Sequence, residues 1–236
     1  MRGGEENLNF FEKWILPPTC VVTGELADSV DLSPILLQTL KQPVEVCPVC
    51  CEPSLKVGGE KNLCGACITN PPAFCQTQVG FYFEGVLSQL IYDLKYHQKP
   101  ENARLLADIS ASHFDSSGVQ ALLPVPLHLL RRRDRGYNQA ELIAKELGTL
   151  LQVPVLTKGL RRIKHTPSQT HLSAKQRHKN LVKAFEVDAD YFASFSHIAL
   201  IDDVITTGAT MQILADCLQR QTGINQIQAW AIAKTE

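Results

Sequence analysis

Two adjacent carboxylates, Asp202 and Asp203, stand at the end of an apolar run and are followed by Val204, Ile205, Thr206, Thr207, Gly208, Ala209 and Thr210. Residues 198–201 have the length and side chains of a buried strand, and Met211, Leu214, Ala215 and Leu218 recur at helical spacing. The order predicted is strand, loop, helix. The first turn of such a helix carries unpaired backbone N–H groups and the positive end of the helix dipole, which together receive a phosphate. The threonine hydroxyls add donors, and Gly208, lacking a Cβ, lets the backbone close on a ligand. Ionised carboxylates repel phosphate, so Asp202 and Asp203 need another partner, and sugar hydroxyls can donate to them. The spacing describes a socket for a phosphorylated ribose, with sugar at the acidic end and phosphate at the helix. A plain helix cap needs only one such polar residue.

Cys47 and Cys50 form a Cys-x-x-Cys pair, and Cys64 and Cys67 form another after a thirteen-residue gap. Paired knuckles at this separation match a four-thiolate zinc ribbon, and four protein ligands leave zinc no open position, so the site is expected to be structural. Free or disulfide-bonded cysteines are the alternative, but the chain shows no signal peptide and a cytoplasmic, reducing location is expected. Cys51 is a spare thiol able to compete for the metal. Cys75 reads as a loop thiol and Cys217 as a small buried apolar residue.

The elements that must position these groups follow from pattern. Leu87, Leu90, Ile91 and Leu94 make one helical face, residues 121–127 a strand, and residues 138–151 a helix with Leu142, Ile143, Leu147 and Leu150 on one side. Asn138 suits its N-cap, with Glu141 three residues on. Strands alternating with helices imply an α/β fold with a mostly parallel sheet. The 236 residues, 44% hydrophobic and 20% charged, suffice for one full core and a small module beside it. Net charge −1 gives no global attraction to nucleic acid or membrane, and no apolar run approaches the roughly 18 residues that span a bilayer. The clustered apolar residues of 10–18 suggest a docked segment. No internal repeat is apparent.

The Asp202-Asp203 segment resembles the phosphoribosyl pyrophosphate (PRPP) loop of type I phosphoribosyltransferases. By that likeness the two aspartates bind the ribose 2′ and 3′ hydroxyls, and residues 205–210 wrap the 5′ phosphate. The chain from 44 onward is similar to the ComF family. The likeness is carried by the cysteine pairs, Phe83-Glu84-Gly85-Val86-Leu87 with Leu94-Lys95-Tyr96, Pro124-Val125-Pro126-Leu127-His128, and Arg135-Gly136-Tyr137-Asn138-Gln139. Thr166-Pro167-Ser168-Gln169, Arg177-His178-Lys179-Asn180-Leu181 and the aspartate loop complete it. By composition and pattern the chain separates into an N-terminal segment over 1–40, a zinc ribbon over 41–78 and an α/β region over 79–236, for which the resemblance implies a type I phosphoribosyltransferase-like domain. The resemblance also implies PRPP binding with Mg²⁺ and, in naturally competent bacteria, a role in uptake of transforming DNA. Family members often carry further cysteine pairs near the N-terminus. Here Cys20 is followed at i+3 by Thr23, which argues against a second zinc site.

The middle motifs also have a physical reading. Two prolines fix the turn after 124, and the remaining amides, that of Val125 included, are expected to face a pyrophosphate. Arg135 is expected to hold that diphosphate bidentately, while Arg131, Arg132 and Arg133 read equally as a solvated surface. Residues 161–171 look like a mobile hood, and Arg177 either contacts ligand or braces it. Two functions follow. One is phosphoribosyl transfer to an acceptor nitrogen, with Asp202, Asp203 and Arg135 as catalytic residues and 204–210, Val125, Pro126 and Arg177 binding substrate. The other is a non-catalytic PRPP- or nucleotide-sensing module that contacts single-stranded DNA or competence-machinery proteins. The ribbon and basic loop lack interleaved aromatics, so stacking of bases has little support there.

Overall fold

The computed structural model describes residues 18–54, 63–163 and 184–236. The chain divides into two compact units, Met1–Lys41 and Gln42–Glu236. Four of the family motifs' residues of interest, Thr166, Gln169, Arg177 and Asn180, lie outside the described residues, as do His165 and His171 of the expected hood.

In the first unit a tight hairpin pairs Thr19 with Leu26, and α1 (Pro34–Gln38) follows. Ser33 caps α1 by accepting from the Leu36 N–H, and Pro34 occupies the first turn, where its missing N–H costs nothing. Cys20 and Leu32 are buried.

The second unit opens with the cysteine ribbon, which includes α2 (Gly65–Thr69). A four-stranded sheet then follows, built from β1 (Gln76–Tyr82), β2 (Ala121–Pro124), β5 (His197–Ile205) and β6 (Gln226–Lys234) in the order β1-β6-β5-β2. Every pairing in it is parallel. The helices are α3 (Gly85–Tyr96), α4 (Asn102–Ser110), α5 (Leu129–Arg135), α6 (Gln139–Leu151) and α7 (Ala209–Gln221). A separate antiparallel hairpin joins β3 (Leu160–Arg162) to β4 (Phe185–Val187). This is the expected α/β architecture, a parallel sheet flanked by helices.

Strand residues alternate between faces, and both faces are covered. Ile198, Leu200, Ile227 and Ala229 join Leu214 and Leu218 of α7 and Phe185 of β4 in one core cluster. Leu87, Leu90, Ile91 and Leu94 of α3 are buried, as periodicity puts them. On α6 only part of the expected face holds: Ile143 and Leu147 are buried with Ala140, Ala144 and Gly148, whereas Leu142 is half-buried and Leu150 is 47% exposed, because the helix turns its small residues to the sheet. Asn138 does cap α6, accepting from the Ala140 N–H at 3.2 Å. Glu141 turns outward to Lys145 at 2.8 Å.

Two strand boundaries differ from expectation. β2 stops at Pro124, not 127: the Val125 N–H still reaches the Ile201 carbonyl at 2.8 Å, but Pro126 has no N–H with which to continue. β5 runs four residues past 201, because Asp202, Val204 and Ile205 find register partners in Ala231, Ala233 and Lys234 of β6.

The end of α3 is fastened by Asp93, which is buried and accepts from Lys99 Nζ at 2.7 Å and Gln89 Nε2 at 2.8 Å, with His97 Nδ1 also at 2.8 Å. The Lys99 hydrogen bond outweighs burial and holds the Asp93 carboxyl below the usual carboxylate range. A depressed folded-state pKa stabilises above the ordinary value, and that contribution is lost as pH falls through the lowered one. Asp93→Asn is expected to cost about 1–3 kcal/mol at pH 7, read as an earlier denaturant midpoint. An unchanged midpoint would show that the cluster is ornamental.

Candidate functional site

β5 and the N-terminus of α7 build the centre of the site. Open parallel sheets place ligands beyond the carboxyl ends of their strands, and β5 ends in Asp202-Asp203-Val204-Ile205. The turn is Thr206-Thr207-Gly208, shorter than the predicted loop. Gly208 is the N-cap of α7 at φ 69°, a left-handed conformation that a Cβ would strain. The Gly208 carbonyl accepts the Gln212 N–H at 2.9 Å, so the helix is engaged from its first turn. Asp202, Val204, Ile205, Thr206, Thr207, Gly208, Ala209 and Thr210 line a small hollow of about 50 Å³ there.

The two aspartates leave the strand in opposite directions, as neighbours in a strand must. Asp202 faces the hollow, half-buried, and its Oδ1 accepts the Asp203 N–H at 2.9 Å. Burial, and then the charge of Asp203, push the Asp202 carboxyl up to about 7, against the opposing pull of that N–H, Lys95 and Arg162. Asp203 is buried and meets Lys95 Nζ at 2.8 Å. Arg162, from β3, lies over the Phe185 ring at 5.5 Å and is depressed from its usual range first by burial.

Beside this centre, Lys95, Tyr96, Gln98, Arg131, Asp134 and Arg135 line a cavity of about 410 Å³. Arg135 stands with its guanidinium carbon 4.8 Å from the centre of the Tyr96 ring. The rest of its motif is structural. Gly136, at φ 82°, ends α5, the Tyr137 hydroxyl donates to the Leu94 carbonyl at 2.7 Å, and Asn138 caps α6 while donating to the Val125 carbonyl at 3.0 Å. The Val125 amide corrects an expectation. It is bonded to Ile201 within the sheet, so the proline turn offers no ligand donor from Pro124, Val125 or Pro126. Pro126 is left as a rigid wall.

Tyr92 and Tyr96 are about half exposed on one face of α3, with ring centres 4.8 Å apart, and His97 packs edge-on to Tyr92 at 5.2 Å. This aromatic face beside Arg135 was not readable from sequence. Its members lie four residues apart on a helix whose other face supplies the core.

The thiols of Cys47, Cys50, Cys64 and Cys67 all lie within 4.8 Å of one another. A tetrahedral zinc with bonds of about 2.3 Å needs sulfurs about 3.8 Å apart, so these four fit a zinc-sized ion. Cys51 is not among them. It is buried at φ 59° beyond the first knuckle, and burial pushes its thiol up to about 11. Burial likewise lifts Cys67 and takes Cys50 to about 11. At Cys47 burial is outweighed by backbone hydrogen bonds from Cys64, Cys50 and Val49, which bring it down to about 7. Cys75 is exposed in the loop before β1 and Cys217 is buried in α7, as expected.

The ribbon is tied to the rest of its unit. Thr77 Oγ1 donates to the Val49 carbonyl at 2.6 Å, and Lys234, buried at the end of β6, reaches Glu52 at 2.8 Å. Gln212 and Gln219 of α7 grip both backbone groups of Ala73, each at 2.8 Å. Cys67, Phe74, Thr207 and Gly208 line a cavity of about 290 Å³. No helix among the described residues is long and apolar enough to cross a membrane.

No family model matches the chain. Individual relatives do. Competence protein F of Haemophilus influenzae is 37% identical over 182 residues, covering 72% of this chain and 78% of that protein. The DNA utilization protein YhgH of Salmonella typhimurium is 30% identical over 208 residues, covering 85% and 89%. The solved adenine phosphoribosyltransferase of Leishmania tarentolae aligns over 68% of this chain and 91% of its own, with 12% identity and a TM-score of 0.39, too low to carry an argument. Matches of this identity across most of both chains, with the four clustered thiols, establish that the chain belongs to the ComF family, that of competence protein F and the DNA utilization protein YhgH.

Proposed function

We propose that the chain is a Mg²⁺-dependent PRPP-binding, phosphoribosyltransferase-like protein that acts in the uptake or processing of DNA. The observation that carries this reading is the end of β5, where an acidic pair runs directly into a glycine-capped helix start lined by three threonines. The α7 N-terminus takes the 5′ phosphate, Asp202 and Asp203 take the ribose hydroxyls, and the cavity at Arg135 takes the diphosphate. Arg177 is proposed to bind or brace the ligand from the hood. In a transfer reaction the bond from ribose C1 to the diphosphate oxygen breaks, a bond from C1 to an acceptor nitrogen forms, and the acceptor's proton passes to solvent. Arg135 then stabilises the departing diphosphate. Mg²⁺, when bound, neutralises diphosphate charge. Zn²⁺ held by Cys47, Cys50, Cys64 and Cys67 is structural in this reading.

The test is calorimetric titration of Mg²⁺ and PRPP into the wild type and into Asp202→Asn/Asp203→Asn, with zinc content measured in both. Saturable binding lost in the variant is expected, and it justifies an acceptor screen for pyrophosphate release. A folded, zinc-loaded wild type that binds no PRPP overturns the reading.

One observation favours a second reading, contact with single-stranded DNA. The exposed Tyr92 and Tyr96, flanked by His97 and Arg135, supply stacking faces beside positive charge. The homologues' names as DNA utilization and competence proteins agree with it. Retention of single strands should then weaken steeply with salt.

A further inference from the structure

We propose that Lys95 is a ligand-binding residue that couples the two ends of the site. It rests on Asp203 when the site is empty and turns to the ligand's diphosphate when the site is filled. The inference rests on the PRPP reading above.

Lys95 belongs to two environments at once. Its ammonium is 2.8 Å from Asp203, and the Lys95 and Asp203 side chains are only 20% and 9% exposed. The same side chain lines the 410 Å³ cavity, where Lys95, Arg131 and Arg135 face a single carboxylate, Asp134. Each environment has a reason to hold it. A buried carboxylate beside a second one needs a counter-charge until a ligand supplies hydrogen bonds or a cation. A cavity lined by three cations and one anion attracts a polyanion.

The surroundings confine any movement to the side chain. The Leu94 carbonyl is pinned by the Tyr137 hydroxyl, and Asp93, two residues before Lys95, is bonded to Gln89 before it and to His97 and Lys99 after it. The backbone of Lys95 is therefore fixed on both sides. Its ammonium, a compact charge on a flexible four-carbon stem, can exchange one anion for another without moving the helix. Release of Asp203 on arrival of the diphosphate frees that carboxylate for the ribose. Ribose and diphosphate recognition thereby become one event.

The experiment titrates three probes, PRPP, inorganic pyrophosphate and ribose 5-phosphate, into the full-length Mg²⁺-supplied protein and its Lys95→Met and Lys95→Arg variants. Ribose 5-phosphate carries the sugar and the 5′ phosphate but no diphosphate. Lys95→Met is expected to weaken PRPP and pyrophosphate about 10- to 100-fold, the loss of one charge-assisted hydrogen bond. It should leave ribose 5-phosphate unchanged or tighter, because a competitor for Asp203 is gone. Lys95→Arg should restore PRPP binding to within a few-fold. An equal loss for all three probes, or no loss for any, overturns the inference. If Lys95→Met does not fold, Lys95→Gln reads the same split between probes. A wild type that binds neither PRPP nor ribose 5-phosphate would sink the PRPP reading itself, whereas normal wild-type binding with no split would sink only the role of Lys95.

Discussion

Asp202→Asn should make the protein more stable at pH 8 and unable to hold Mg²⁺ and PRPP. The folded state pushes the Asp202 carboxyl from the ordinary 3.8 up to about 7, chiefly by burial and then by Asp203. A carboxylic acid whose folded pKa lies above its unfolded one binds its proton more tightly in the native state. Stability therefore falls as pH rises from about 4 to about 7 and is level beyond. At pH 8 the wild type bears the whole cost of an ionised, half-buried carboxylate, about 4 kcal/mol from the full shift and on the order of 2 kcal/mol once partial exposure to solvent is counted. Asparagine removes the charge but keeps the Oδ1 that accepts the Asp203 N–H at 2.9 Å. Thermal unfolding should show the gain clearly at pH 8, less at pH 5 and scarcely at pH 4. In the proposed reading, wild-type affinity for Mg²⁺ and PRPP should fall up to tenfold per unit below pH 7, because the ionised carboxylate accepts from ribose hydroxyls more strongly than the acid and alone carries the charge that meets a cation. An equal gain in unfolding temperature at every pH would rule out the titration of Asp202 as its source.

Cys64→Ser is the second large expected effect. Loss of one thiolate of four should release the metal and, with it, several kcal/mol that hold the ribbon together. The damage should be regional. The β5–β6 core with α7 is closed by its own side chains, so the parallel sheet should persist. Hydrogen exchange should show lost protection over 42–54 and 63–75, together with partial loosening at 206–212. Ala73 is the bridge between these regions, because Gln212 and Gln219 of α7 hold its N–H and its carbonyl. Metal content and exchange measured on the same samples decide the matter. Full zinc retention in Cys64→Ser, or an unfolded sheet, would contradict this account.

Local pattern revealed the local features. The α3 face, the Asn138 cap, the four clustered cysteines and the strand leading to Asp202 are set by spacings within a few residues, and the structure places each accordingly. The α6 face is legible only in part, since Leu150 is exposed and Ala140, Ala144 and Gly148 take the contact with the sheet. What escaped notice was set by distant partners. Asp203 reads alone as a ribose ligand, because nothing near it in the chain announces Lys95. The extension of β5 depends on β6 beyond a whole helix. The Val125 amide reads as a free donor until the sheet places Ile201 against it. Tyr92 and Tyr96 fit a helical pattern in which aromatics usually face the core, and only packing shows them exposed.

The hairpin at Cys20 has the backbone form of the ribbon's first knuckle with one of its two thiols. The Cys20 N–H bonds the Glu25 carbonyl and the Gly24 N–H bonds the Cys20 carbonyl, both at 2.8 Å. In the ribbon, Cys47 with Glu52 and Cys51 with Cys47 repeat both bonds at the same length. Gly24 and Cys51 occupy the same left-handed corner, at φ 73° and 59°. The repeat is invisible as sequence because Thr23 stands where Cys50 does. A loop that keeps this form with one thiol does not owe it to an ion. The backbone of the first knuckle is thus set by hydrogen bonds of its own, and if they form before the second knuckle docks, Cys47 and Cys50 would meet an ion as a pair. Capture would then proceed in two kinetic stages, a fast bidentate encounter at Cys47 and Cys50 and a slower closure by Cys64 and Cys67.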